Sequence, residues 1–129
     1  MTIIVGFVPV AEGWAALKRG IEEARLRDED VLVLNSSPGD RYSDPSFATA
    51  AQLDEVAKLF EGSDVPFELS QPVRGRDAAD EILGAAEETD ASLIVVGVRH
   101  RSVVGKLIMG STSQRVLLNA RCAVLAVKV

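Results

Sequence analysis

Short, β-branched apolar runs alternate along this chain with stretches whose apolar residues recur every three or four positions, and that alternation restricts the fold more than any other feature. Ile3-Ile4-Val5-Gly6-Phe7-Val8, followed by Pro9, has the continuous apolarity of a strand buried on both faces. Trp14, Leu17, Ile21 and Ala24 then repeat at helical spacing, with Lys18, Arg19, Glu22 and Glu23 on the opposite side. Asp28-Glu29-Asp30 breaks that pattern, and Val31-Leu32-Val33-Leu34 gives a second strand that runs into a turn-rich loop, Asn35-Ser36-Ser37-Pro38-Gly39-Asp40.

The same switch of period continues to the end of the chain. A second helix is expected from about Phe47 to Phe60, closed by Gly62-Ser63-Asp64, and a third strand from Val65 to Val73. Pro66 and Pro72 assign that strand to an edge. Arg74-Gly75-Arg76-Asp77 turns the chain, with Asp77 suited to cap a third helix lined by Ala78, Ile82, Leu83 and Ala86. Leu93-Ile94-Val95-Val96 is the fourth strand, a fourth helix starts near Gly110-Ser111-Thr112, and Ala123 to Val129 is the fifth strand. Alternation over 129 residues implies a three-layer, doubly wound α/β domain, a parallel sheet with helices on both faces. Residues 1–129 read as one such domain, with no linker, repeat or low-complexity stretch.

Charge and composition exclude several function classes. Fourteen basic against nineteen acidic residues leave a net charge of -5, so a basic surface for nucleic acid is not expected. The single Cys122 and single His100 give neither a disulfide nor a zinc site, and Cys122 reads as a small buried hydrophobe. No apolar run reaches the roughly 20 residues a bilayer span needs, and the first residues lack a basic secretory lead. A cytoplasmic protein with no membrane partner is the expectation.

In a doubly wound sheet, ligands bind beyond the carboxyl ends of the strands where the strand order reverses. That points to the segment after the fourth strand. Gly97 permits a tight turn at the strand end or close approach to a ligand. Gly110 precedes a helix, and Ser111, Thr112 and Ser113 place three hydroxyls at its start, where unpaired N–H groups and the helix dipole favour an anion. Arg99, Arg101 and Lys106 add positive charge. Singly, each has a plainer role: a helix cap for Ser111 or Thr112, solvated charge for the arginines, a surface histidine for His100. Together they describe a phosphate cradle. Lys106 is not followed by Ser or Thr, and no G-x-G-x-x-G follows the first strand, so neither a P-loop nor a dinucleotide fingerprint is present.

Gly97-x-x-His100, nine residues, then Gly110-Ser111 resembles the nucleotide signature of the universal stress proteins, usually G-x-x-G, nine residues, G-[S/T]. Gly75-Arg76-Asp77 before an alanine-rich helix, Ala91-Ser92-Leu93-Ile94-Val95-Val96-Gly97 and the ending Arg121-Cys122-Ala123-Val124-Leu125-Ala126-Val127 resemble that family in order and spacing. The resemblance implies a Rossmann-like, adenine nucleotide alpha-hydrolase-like sheet of five parallel strands in the order 3-2-1-4-5. It also implies a stress-response homodimer joined through strand 123–129. It further implies binding of ATP or AMP, with at most slow hydrolysis, no catalytic residues and no covalent cofactor; whether Mg2+ accompanies the phosphates stays open. Carried over by position, Gly97, His100, Gly110, Ser111, Thr112 and Ser113 hold ribose and phosphates, with Arg99 beside them. Val8, Pro9 and Val96 border the base. Ligand binding is then expected to order the loop 99–109.

Two departures bear on that expectation. His100 stands where the signature has its second glycine. Val8, Pro9 and Val10 stand where the family tends to carry an aspartate followed by Gly-Ser. Losing that carboxylate weakens binding by about 0.5–1.5 kcal/mol. A dimer of the same fold that binds no nucleotide is the alternative. A flavin carrier is disfavoured, because Pro9-Val10-Ala11-Glu12-Gly13 offers few hydroxyls.

Overall fold

The first strand, β1 (Thr2–Gly6), is central: it pairs in parallel with β2 (Asp30–Leu34) on one side and β4 (Leu93–His100) on the other. The computed structural model describes residues 1–36, 47–73, 75–100, 107–108 and 110–129. Beyond β2 lies β3 (Phe67–Ser70), and beyond β4 lies β6 (Ala123–Lys128), both parallel. A two-residue strand, β5 (Leu107–Ile108), pairs antiparallel with the tip of β4. With β5 set aside, the five parallel strands run 3-2-1-4-5 counted along the chain, so the order reverses between β1 and β4.

Helix α1 (Ala11–Arg27) packs over β1 and β4, and α2 (Ala50–Phe60) shares its side of the sheet through Val56 and Phe60. The opposite face is covered by α3 (Ala78–Thr89) and α4 (Ser111–Asn119), with Ile4, Ile82, Ile94, Val96 and Val116 between them. Ile3, Ile4, Val5, Ile94 and Val95 have no exposed surface, as expected of central parallel strands.

Several boundaries differ from the sequence expectation, each for a local reason. Helix α2 starts at Ala50 and not at Phe47, because Thr49 and Gln52 form a reciprocal capping box. Strand β3 covers Phe67–Ser70, bracketed by Pro66 and Pro72, and does occupy a sheet edge. Strand β4 does not stop at Val96. It continues to His100, and the expected loop 99–109 begins and ends as a ladder, Arg99 opposite Ile108 and His100 opposite Leu107. Gly97 therefore makes no turn. Asp77 caps α3 as expected, accepting from the Asp80 N–H at 2.9 Å. Cys122 is only half-buried, not enclosed, and burial pushes its thiol pKa up. Positions 37–40, Arg74, Arg101, Lys106 and Met109 lie outside the described residues.

Candidate functional site

Beyond the carboxyl ends of β1 and β4 lies a cleft of about 120 Å3. At the ~30 Å3 a water occupies in the liquid, that is room for about four waters. It has two halves. The apolar half is built by Phe7, Val8, Leu34, Ala78, Ile82 and Val96, drawn from the ends of β1 and β2, the middle of β4, and α3. The polar half is built by Glu12 and Gly13 of α1, Gly97 of β4, and Thr112 and Ser113 of α4.

The polar half is tightly constructed. A Cβ at Gly97 would sit 2.0 Å from the Glu12 carbonyl oxygen, and one at Gly13 would sit 1.8 Å from that of Val8. Both glycines are there so that α1 can rest its first turn on the strand ends. Ser113 is buried and donates its hydroxyl to the Gly97 carbonyl at 3.2 Å, which fixes the start of α4 to the same point. Arg115 links α4 to α3 through Asp77 and through Asp80, the latter at 2.8 Å. That bridge is half-exposed, so its role is to position the two helix starts.

Four helices begin at this end of the sheet, and they differ in how their first turns are satisfied. Thr49 caps α2, Asp77 caps α3, and Glu12 brings a carboxylate into the first turn of α1. Helix α4 has neither a side-chain cap nor an acid in its first turn; its N-cap is Gly110. The N–H groups of that turn have no intrahelical partner and face outward. A Cβ at Gly110 would meet nothing within 4 Å among the described residues, and its φ of -68° suits any amino acid.

Two polar groups at the cleft were not singled out by the sequence. Ser36 is 7% exposed, and its hydroxyl has no hydrogen-bond partner among the described residues although it lines the cleft. Glu12 pairs with Arg99, whose Nε donates to Oε2 at 3.0 Å. A backbone N–H at Glu12 holds its carboxyl below the ordinary 4.5; burial opposes that shift, and Arg99 adds to it. Glu12 is therefore ionised at neutral pH. Its contribution to stability is complete above the ordinary value and is lost as the pH falls through the depressed one. An acid-for-base pairing of this kind, 87 positions apart, leaves no pattern in sequence.

Of the residues expected at the site, Val8, Val96, Gly97, Thr112 and Ser113 line the cleft. Gly110 and Ser111 are exposed where α4 begins. Pro9 is half-buried and outside the lining, Arg99 is engaged by Glu12, and His100 ends β4 opposite Leu107. Two other hollows, each about 340 Å3, lie at the opposite end of the sheet, beside Asp90 and Asn119 and beside Asp28 and Asp64. Helix carboxyl ends face them, which disfavours anions there. Among the described residues no group of three or more His, Cys, Asp or Glu could hold a metal ion, and no helix is long and apolar enough to cross a membrane.

Fold and cleft together define a doubly wound α/β protein with a helix start that carries neither a side-chain cap nor an acid at its switch point. Residues 1–128 match the universal stress protein family, and the chain belongs to that family. It is 48% identical over 126 residues to a universal stress protein of Mycolicibacterium smegmatis, covering 98% of this chain and 96% of that one. A universal stress protein structure from Archaeoglobus fulgidus superposes with a TM-score of 0.84 at 33% identity, covering 99% and 98% of the two chains. A structure of the universal stress protein from Archaeoglobus fulgidus in complex with dAMP superposes with a TM-score of 0.77 at 28% identity, over the same shares.

Proposed function

We infer that this protein is an adenine-nucleotide-binding stress protein without efficient catalysis of its own, working as a homodimer. The observation that carries this reading is the joining of an apolar slot to the uncapped start of α4. A flat base fits against Phe7, Val8, Leu34, Ile82 and Val96, and the outward N–H groups of the first turn of α4 with the hydroxyls of Ser111 and Thr112 suit a phosphate. The buried Ser36 hydroxyl supports the fit, because it has no partner among the described residues and a bound polar edge would supply one, worth about 1–3 kcal/mol. The cleft is the size of a base and not of a whole nucleotide, so sugar and phosphates would extend over Gly97 and Gly110. The dAMP complex of the Archaeoglobus fulgidus protein supports the same ligand class. ATP and AMP are both proposed ligands, with His100 and Arg99 flanking the phosphates.

Titration calorimetry with AMP and with ATP is expected to give saturable heat, and either nucleotide to raise the melting temperature. Trp14, the only tryptophan, packs edge-on against Phe7 at 4.8 Å and should report binding by fluorescence. Gly110→Val is expected to abolish the heat with the melting temperature of the free protein lowered only slightly, since nothing among the described residues lies within 4 Å of a Cβ at Gly110. No heat from the native protein, with an unchanged melting temperature at millimolar nucleotide, would refute the reading. It would favour a dimer without ligand, for which Val8 in place of a carboxylate and the neutralising of Arg99 by Glu12 already speak.

The dimer rests on β6, which pairs with β4 on one side and is the last parallel strand of the sheet. A second copy adding to its free edge would satisfy the open ladder groups. Sedimentation velocity at micromolar concentration is expected to give twice the 13.8 kDa chain mass. A concentration-independent single chain would refute it.

A further inference from the structure

We propose that Glu12 selects the sugar of the bound nucleotide: its carboxylate takes the vicinal hydroxyls of a ribose, so that the site prefers ribonucleotides to 2′-deoxyribonucleotides. The inference rests on the nucleotide reading and concerns a residue that neither the signature nor the missing aspartate points to.

A carboxylate inside an anion cradle needs an explanation. Glu12 lines the cleft and its side chain is only 17% exposed, so it faces whatever ligand enters. It is also fixed in place. Its backbone carbonyl lies against Gly97, its carboxylate is held by Arg99 at 3.0 Å, and Gly13 seats the same turn on Val8. An ionised carboxylate only accepts hydrogen bonds and repels phosphate, so the part of a nucleotide that suits the lone pairs Arg99 leaves over is an uncharged donor. A nucleotide offers two kinds: the base amine and the sugar hydroxyls.

The layout of the cleft decides between them. The base slot is on the side of Phe7, Leu34, Ile82 and Ser36, the ends of β1 and β2 together with α3. The phosphate side is the start of α4. Glu12 touches Gly97, whose carbonyl receives the Ser113 hydroxyl, and Val96 next to Gly97 walls the base slot. Glu12 thus stands in the polar half where it adjoins the base slot, its backbone and Cβ against Gly97 and its carboxylate at Arg99, nearer the group that links base to phosphate than the base itself. That group is the sugar. A cis-diol presents two O–H donors to the two oxygens of one carboxylate. Removing the 2′-hydroxyl removes one charge-assisted hydrogen bond.

The test compares dissociation constants for AMP, 2′-deoxy-AMP and 3′-deoxy-AMP on the native protein and on Glu12→Gln, read by calorimetry and Trp14 fluorescence. AMP is expected to bind on the order of tenfold more tightly than either deoxy form. Glu12→Gln, nearly the same size, should bring the three affinities within about twofold of one another. Equal affinities on the native protein would overturn this proposal and leave the nucleotide reading standing. A ribose preference that survives in Glu12→Gln would also overturn it, since another group would then be responsible. Binding of none of the three would overturn both. If Glu12→Gln does not fold, Glu12→Ala takes its place in the same comparison, with the same outcomes for and against the proposal.

Discussion

Gly13→Ala is expected to destabilise the protein by about 3 kcal/mol, although its position within a helix argues for the opposite sign. In the interior of an exposed helix, Gly→Ala gains up to about 1 kcal/mol because alanine loses less backbone freedom on folding. Here the added Cβ would lie 1.8 Å from the Val8 carbonyl oxygen and 2.8 Å from the Val8 nitrogen. These are backbone atoms of the short connection between β1 and α1, and they cannot rotate away as a side chain could. The first turn of α1 must lift off the sheet instead, and the clash outweighs the propensity gain severalfold. Gly97→Ala should behave alike, because its Cβ would meet the Glu12 carbonyl oxygen at 2.0 Å. The control is Gly110→Ala, where a Cβ meets nothing within 4 Å among the described residues and only N-cap preference is lost, at about 1 kcal/mol or less. Thermal melts followed by circular dichroism would read the first two as a fall of roughly 10 °C or more. Were Gly13→Ala as stable as the native chain, the close seat of α1 on Val8 would be wrong, and with it the placing of Glu12 in the cleft.

The contrast between these glycines shows what could be read from the sequence. The alternation of periods was enough for the doubly wound sheet, because β1, β2 and β4 carry apolar residues on both faces and α1 and α3 on one. The start of α4 was legible from Gly110-Ser111-Thr112, and the edge position of β3 from its two prolines. The reason for Gly97 was not. In sequence, a glycine after four apolar residues reads as a strand end, whereas here the strand continues and the glycine admits a helix from 85 positions away. Contacts of that range have no local signature. The same holds for Glu12 with Arg99, and for Ser36, which in a run of turn-forming residues reads as surface but is buried. The fold follows from periodicity, a property of neighbours in sequence. The chemistry of the cleft follows from which loops the crossovers bring together.

Asn35→Ala is the second substitution with a large expected effect, about 2–4 kcal/mol. Asn35 follows β2 directly, and with 1% of its surface exposed it is a buried junction and not the loop residue its neighbours suggest. Its Nδ2 donates to the Phe7 carbonyl at 2.9 Å, and its Oδ1 accepts from the Ala48 N–H at 2.9 Å and from Gln71 Nε2 at 3.0 Å. One side chain thus joins the end of β1, the approach to α2 and the segment after β3. Alanine would strand the Phe7 carbonyl and the Ala48 N–H without replacing either partner, whereas Gln71 keeps its bond to the Ala48 carbonyl at 3.0 Å. Two stranded groups at about 1–3 kcal/mol each, less some relaxation, give the stated range. Asn35→Asp separates the donor from the acceptor role. It keeps the Oδ1 acceptor but sets an oxygen against the Phe7 carbonyl, so the ionised form is disfavoured in the fold and its folded pKa is raised. With a raised folded pKa, acidification favours the folded state. The gap in denaturant midpoint between Asn35→Asp and the native chain should therefore narrow from pH 7 to pH 5, and a gap independent of pH would deny the contact with Phe7. Because Phe7 and Ser36 flank Asn35 and both line the cleft, either variant should also weaken nucleotide binding at temperatures where it remains folded. Unchanged affinity would mean that the base slot is held by β1 and α3 without help from this junction.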